Sequence, residues 1–348
     1  MRASAIDALA RALHARAMPS HGALAAGPGP LVLLLFALAL DAYIGDPPGV
    51  WRVVPHPVAL MGRAVAFLDK RLNRAGRGEA TRALRGVLAL AVLVGLAAAC
   101  GWAVSWAADA VSFGWLFELV LVMTLVAQHS LYQHVIAVAR GLEEGGLEEG
   151  RRAVAHLVGR NPENLDQYGV ARGAIESCAE NLSDGVVAPV FWYVLLGLPG
   201  LLAYKMLNTL DSMVGYTSPR YKAFGAATAR LDTAANYVPA RLTALILALA
   251  ALFVPSADPL AALRTVARDA RKHRSVNAGW PEAAVAGALG LTLAGPRRYG
   301  DRVVKDNWIG HGRARATPAD IRRTLHLFVV ACLADFGLVA ALAVALAI

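Results

Sequence analysis

The sequence predicts an all-α, polytopic membrane helical bundle with broken or re-entrant helices and cytoplasmic helical loops. Three observations carry that expectation. Hydrophobic residues make up 57% of the 348 and charged residues only 17%, with a mean hydropathy of +0.48, whereas a soluble domain is about one quarter charged. Gly86 to Ala107 runs without a single charge over a length that suits a bilayer. Other apolar stretches are interrupted by Gly and Pro, a pattern tolerated at membrane depth where the backbone lines a protein cavity.

The composition also excludes. The net charge of +9, from 34 basic and 25 acidic residues, fits the Lys and Arg retained by cytoplasmic loops. No zinc-finger, RRM-like or helix-turn-helix pattern accompanies it, so nucleic acid is not an expected partner; membrane lipid is. The three cysteines, Cys100, Cys178 and Cys332, lie far apart, with no C-x-x-C pair for zinc or redox chemistry.

Residues 1–30 carry Arg2, Arg11 and Arg16 but no long apolar core beside a cleavage motif, and Gly27-Pro28-Gly29-Pro30 closes them off. They read as a poorly ordered extension, leaving 31–348 as the integral membrane domain. Leu31 to Ile44 is short for a span and ends beside Asp41. Gly86 to Ala107 and Leu325 to Ile348 span cleanly, the first with Trp102 and Trp106 at an interface. Trp115 to Ala137 also fits, although Glu118, Gln128, His129 and His134 make it polar enough to face other helices. Val186 to Leu207 is broken by Gly197, Pro199 and Gly200. Pro239 to Val254 is short and opens on Pro239 and Arg241, and Ala283 to Ala294 is too short to span. The segment 46–85 holds eight Arg or Lys residues and reads as cytoplasmic, as does the Arg-rich stretch 264–323.

Polar residues next to apolar runs are the informative places, because a membrane buries them only at a cost. Asp46-Pro47-Pro48 with Pro55-His56-Pro57 is either a site or a helix stop. Arg172, Glu176, Glu180 and Asp184 recur every fourth residue, one stripe of a helix. Three carboxylates there suit Mg²⁺, a hard cation that prefers oxygen; the alternative is a solvated face with an Arg172–Glu176 pair. In Lys205-Met-Leu-Asn208-Thr209-Leu-Asp211-Ser212, Asn208 and Asp211 share a face, and Gly215 ends the helix or admits close backbone approach. Arg230, Asp232, Asn236 and Arg241 form a fourth group, Arg being suited to phosphate or carboxylate. The basic run Arg271-Lys272-His273-Arg274, followed by Ser275, Asn277 and Gly279, is either a headgroup face or a ligand loop. No G-x-x-x-x-G-K-[ST] phosphate loop is present.

Several of these motifs, in order, resemble the CbiB/CobD membrane proteins of cobalamin biosynthesis. They are Gly45-Asp46-Pro47-Pro48 with Pro55-His56-Pro57; Glu176-Ser-x-x-Glu180-Asn181-x-x-Asp184-Gly185 with Pro189; Asn208-Thr209-x-Asp211-Ser212-Met213-Val214-Gly215-Tyr216; Phe224-Gly225; Pro239-Ala240-Arg241; and Asn277-Ala278-Gly279-Trp280-Pro281-Glu282. The likeness runs from about Asp41 to Tyr299. It departs at Asp232-Thr233, where the family often pairs two Asp, and at Ser275-Val276-Asn277 in place of Ser-Pro-Asn.

The resemblance implies an adenosylcobinamide-phosphate synthase: ATP-dependent amide formation between adenosylcobyric acid and (R)-1-amino-2-propanol or its O-phosphate, with Mg²⁺. It implies a multi-pass protein of the bacterial inner membrane with a cytoplasmic active site, and leaves room for association with other enzymes of that pathway. Under this reading Glu176, Glu180, Asp184 and Asp211 hold Mg²⁺–ATP, with Asp232 a further candidate. Lys205, Arg230 and Arg241 meet phosphate oxygens, and Asn181, Asn208, Asn236 and Asn277 bond corrin amides. Asp184 is the first choice for accepting the ammonium proton. The rival readings are a transporter and an AmpE-like non-catalytic membrane sensor.

A sidedness problem follows from the sequence alone. If Val186 to Leu207 crosses fully, Asn208 to Arg241 faces away from the cytoplasm; a bend at Gly197-Leu198-Pro199-Gly200 keeps it on the same side. The bend is the expectation.

Overall fold

The computed structural model describes residues 27–46, 48–158, 162–299, 302–304 and 306–348. The N-terminal extension expected at 1–30 therefore lies almost wholly outside the described residues. Helix dominates. Among the described residues four helical stretches are long and apolar enough to cross a membrane: Glu79–Ala110, Trp115–Glu144, Gln167–Val214 and Pro318–Ala347. The pair Ala226–Ala235 and Tyr237–Phe253 passes that test only jointly, as a broken span. The helix Pro30–Ile44, at 15 residues, is shorter than a span.

The chain forms two compact units. The first takes the described residues up to Val126, Ala188–Ala235 and Leu338–Ile348. Its centre is the pairing of the Glu79–Ala110 helix with Ala188–Val214. Small residues set that pairing. A Cβ on Gly101 would sit 2.7 Å from Pro199 Cα, and one on Gly86 would strike the Phe224 carbonyl in the loop that follows the second helix. The Ala188–Val214 helix breaks at Gly197, whose φ of 65° and ψ of −156° are non-helical, in a region open in practice only to glycine. This is where the sequence places the break.

Inside this unit Glu118 is buried, accepting hydrogen bonds from Ser105 Oγ at 3.0 Å and Tyr193 Oη at 2.9 Å. Two hydroxyls from separate helices thus satisfy an acid whose isolated burial would be costly. Glu118 faces other helices as expected.

The second unit comprises Ala127–Val187 and Asn236–Gly337. The apolar run from Trp115 is not one continuous helix. It stops at Leu125 and restarts at Gln128, and the freed Ala127 N–H donates to the Gly185 carbonyl at 3.1 Å. Gln128 is buried as expected, but His134 is exposed and bonds only the Ser130 carbonyl, at 2.7 Å. The Gly279–Leu289 helix is buried along its length, and Gly287 brings it against Ala262 of the Pro259–Asp269 helix. Two short antiparallel ribbons follow the Gly279–Leu289 helix, Leu293–Ala294 with Trp308–Ile309 and Arg297–Tyr299 with Arg302–Val304.

Candidate functional site

The acidic stripe begins on the Gln167–Leu182 helix, whose N-terminus Asp166 caps by accepting from Gly169 N at 2.6 Å. Arg172 Nε lies 3.8 Å from Glu176 Oε1, so the pair weighed as an alternative does form. It is not solvated. Glu176 is 6% exposed, and the same Oε1 accepts from Ala294 N at 2.7 Å. Arg172 also packs over the Trp308 ring at 5.3 Å and donates to the Ala314 carbonyl at 3.3 Å. Glu176 thereby ties the helix to the ribbon.

The stripe does not continue as one helix. Regular helix ends at Leu182, and Ser183–Val187 form a π-turn, the wider winding often found at functional sites. Its Gly185 carbonyl is the acceptor that Ala127 needs. Asp184 therefore leaves the four-residue register of Arg172, Glu176 and Glu180 and is half-buried, while Glu180 and Asn181 are exposed. Asn181 Nδ2 donates to the Ser177 carbonyl at 2.9 Å and to Ser177 Oγ at 3.1 Å.

Arg241 and Asn277, 36 residues apart, meet. Arg241 Nη1 donates to Asn277 Oδ1 at 2.9 Å and to the Tyr237 carbonyl at 2.7 Å. Its Cζ stands 3.4 Å from the Tyr237 ring centroid and 4.4 Å from that of Trp280. The loop that delivers Asn277 is shaped by Ser275, whose Oγ accepts from Asn277 N at 3.3 Å and Ala278 N at 3.1 Å. Gly279 is obligatory there, because a Cβ would strike the Ala270 carbonyl. His273 Nδ1 accepts from Ser275 N at 3.0 Å, and its Nε2 faces buried Glu282 at 3.7 Å. Asn236, at the start of the Tyr237–Ala250 helix, is buried.

The basic run after Asp269 is partly spent on structure. Buried Asp269 binds Arg268 at 2.7 Å, Lys272 at 2.8 Å and the Gly310 N–H at 3.0 Å. Those donors, the Arg268 guanidinium first, hold its carboxyl well below the usual carboxylate range.

In the first unit the motif from Lys205 to Tyr216 lies on the last turns of Ala188–Val214. Lys205 is buried, and Asn208 and Asp211 are half-buried. Asp211 Oδ1 is buried with no hydrogen-bond partner, and it lies where a Cβ on Gly215 would be. An uncommitted buried carboxylate oxygen is costly and suits a hard cation. Gly225 answers a different need, since a Cβ there would strike the Val214 carbonyl. Arg230 is exposed and Asp232 half-buried on Ala226–Ala235. His56 caps Pro57–Leu72 by accepting from Val58 N at 3.2 Å, and its Nε2 lies 3.6 Å from Asp46.

A cluster absent from the sequence reading holds the loop after Gly215. Asp69 binds Arg220 at 2.6 Å and accepts from Asn73 Nδ2 at 2.9 Å, and Asn73 Nδ2 also bonds the Arg220 carbonyl at 3.2 Å. Arg82 donates to that carbonyl too. The available signal was a lone acid, Asp69, beside Lys70 and Arg71.

Among the described residues no three His, Cys, Asp or Glu side chains stand close enough to hold a metal ion together. The expected ligands Glu176, Glu180, Asp184 and Asp211 are thus no preformed metal cage, and Glu176 is committed to Arg172 and Ala294. Magnesium brought by a nucleotide asks less of a protein, one or two carboxylates beside the phosphates, and the open oxygen of Asp211 fits that demand.

Apolar spans that carry acid, amide and guanidinium groups at their broken turns and ends define a polytopic helical membrane protein with polar clusters in each unit. The CobD/Cbib protein family matches residues 34–328. A Sinorhizobium protein named Cobalamin biosynthesis protein CobD is 51% identical over 316 residues, covering 90% of this chain and 98% of its own. Proteins of the same name from Brucella suis biovar 1 and Rhodobacter capsulatus are 49% and 46% identical, covering 86% and 85% of this chain and 92% of each relative. No solved structure matches the chain. The chain belongs to the CobD/Cbib family.

Proposed function

We propose that this chain is the ATP-dependent ligase that joins adenosylcobyric acid to (R)-1-amino-2-propanol or its O-phosphate, acting from the cytoplasmic side of the bacterial inner membrane. Family membership supports the broader role, cobalamin biosynthesis, on which the particular reaction depends. The observation that carries the finer reading is the contact between Arg241 and Asn277, which joins two distant motifs into one polar cluster that neither a helix stop nor a lipid-facing surface requires.

A carboxylate is a poor electrophile at neutral pH. In the proposed reaction its oxygen attacks the γ-phosphorus of ATP, releasing ADP and leaving an acyl phosphate. The amine then attacks the acyl carbon, phosphate departs, and the ammonium proton passes to a carboxylate, with Asp184 the first candidate. Such chemistry needs positioning and charge neutralisation more than a covalent apparatus. Asp211 would hold Mg²⁺, which when bound screens the triphosphate. Arg230 and Lys205 would bind oxygens of the triphosphate, and Asn181, Asn208 and Asn236 would bond amides of the corrin periphery. Glu176 is better suited to fixing Arg172 and the ribbon than to binding metal.

Reconstituting the purified chain with defined substrates and weighing the corrinoid product tests this reading. Amide product with ATP hydrolysed only when corrinoid and aminoalcohol are both present is the expected result. ATP turnover indifferent to both, or no amide under any combination, would sink it.

A further inference from the structure

We propose that Arg241, clamped by Tyr237, Trp280 and Asn277, is the binding site for the oxyanion of a metal-free phosphate monoester. This deepens the ligase reading and rests on it for the source of the phosphate. Three observations lead there.

The guanidinium is fixed before any ligand arrives. Rings approach it at 3.4 and 4.4 Å, and cation–π attraction from both restrains its plane. Nη1 spends its two hydrogens on the Tyr237 carbonyl and Asn277 Oδ1, while Nη2 reaches the Val276 carbonyl only at 3.4 Å. That leaves Nε–H and the neighbouring Nη2–H, the side-on edge of the fork, which is the edge that grips two oxygens of one phosphate.

Among the described residues no carboxylate lies within ion-pair distance of Arg241, unlike Arg172, Arg220, Arg268, Arg313 and Arg322, each of which has one. A half-buried cation with no carboxylate partner is stabilised by an incoming dianion more than by a monoanion.

The surroundings are exposed: Tyr237 is 51% exposed and Val276 52%, while Arg241 itself is half-buried.

The missing acid also selects the ligand. A nucleotide triphosphate brings Mg²⁺, which wants carboxylate oxygens nearby and already screens much of the phosphate charge. A monoester without metal keeps its charge for the guanidinium. Asn277, buried and oriented by Ser275, is then a positioning residue for Arg241 rather than a partner of corrin amides.

Equilibrium dialysis of radiolabelled inorganic phosphate against the full-length chain in neutral detergent tests the site. One saturable site is expected, weakened at least tenfold in R241Q. Asn277→Asp keeps the shape of the loop and sets an acid against the guanidinium, so it should weaken phosphate tenfold or more without loss of thermal stability. Arg241→Lys keeps the charge, loses the fork and should fall between. Phosphate bound equally well by wild type and N277D, or not saturably by wild type, overturns the site.

Competition identifies the source. 1-Amino-2-propanol O-phosphate should displace the label, whereas Mg·ATP or phosphatidylglycerol micelles should not; displacement by either of these instead overturns the assignment to a substrate monoester. A wild-type chain that binds phosphate but forms no amide counts against the ligase reading alone. One that forms amide while R241Q and N277D bind phosphate normally counts against the site alone.

Discussion

Asp211 and Glu176 are both acids of the family motifs, yet their surroundings ask different things of them. Asp211 presents a buried oxygen with no hydrogen-bond partner beside Gly215, whereas Glu176 Oε1 is held by Arg172 and Ala294 N. Asp211→Asn should lower turnover by on the order of 100-fold or more, as loss of a transition-state electrostatic group does, while the protein still inserts and unfolds at its usual temperature. Glu176→Gln keeps an oxygen for Ala294 and should retain activity to within severalfold. Glu176→Ala leaves that N–H orphaned and should cost about 1–3 kcal/mol of stability. Turnover of the two conservative amides, D211N and E176Q, separates the roles; an inactive E176Q would return Glu176 to the metal. Asp269 gives a pH signature. Its folded carboxyl is held below the unfolded range by Arg268, Lys272 and Gly310, so its stabilisation is full above about pH 4 and fades as pH falls through the folded value. Asp269→Asn should flatten the acid limb of a stability–pH profile and leave the neutral side lower by about 1–3 kcal/mol.

At the scale of elements, the break at Gly197 was legible and the π-turn at Ser183–Val187 was not, for a physical reason. Gly197-Leu198-Pro199-Gly200 carries its own backbone chemistry: a glycine able to reach φ 65° and ψ −156°, and a proline without an N–H to donate. The π-turn depends on a partner. Its Gly185 carbonyl satisfies Ala127, 58 residues earlier in the chain, and no local propensity encodes that. The same division explains the sites. The motif at Asn208 and Asp211 could be read from spacing on one helix, whereas the pairings of Arg241 with Asn277, Glu118 with Tyr193 and Asp69 with Arg220 are tertiary. Gly197→Ala tests the local half. A Cβ at that backbone conformation should cost about 1–3 kcal/mol, read as a lowered unfolding midpoint in detergent. An unchanged midpoint would mean that the break survives without glycine.

At the scale of the molecule, the question is which face of the membrane carries the loop from Gly215 to Gly225, and an ion pair decides what to expect. A full crossing by Val186 to Leu207 would set that loop opposite the basic segment 46–85. Yet Arg220 reaches Asp69 of that segment at 2.6 Å, and Asn73 bonds the Arg220 carbonyl at 3.2 Å. No ion pair of that length spans a hydrocarbon core of about 30 Å, so loop and basic segment share a side. Eight Lys or Arg residues in 46–85 make the cytoplasm the expected side by the charge rule. Ser218 is exposed on the same loop. Of the native cysteines Cys100 is exposed, Cys332 half-buried and Cys178 buried, so Ser218→Cys belongs in a background with Cys100 and Cys332 replaced by Ser. A membrane-impermeant maleimide should label it in inside-out vesicles and leave it untouched in intact spheroplasts. Labelling from the spheroplast exterior would put Asp69 and the basic segment outside as well, and a cytoplasmic ATP-dependent reaction at Asp211, four residues before Gly215, could not stand.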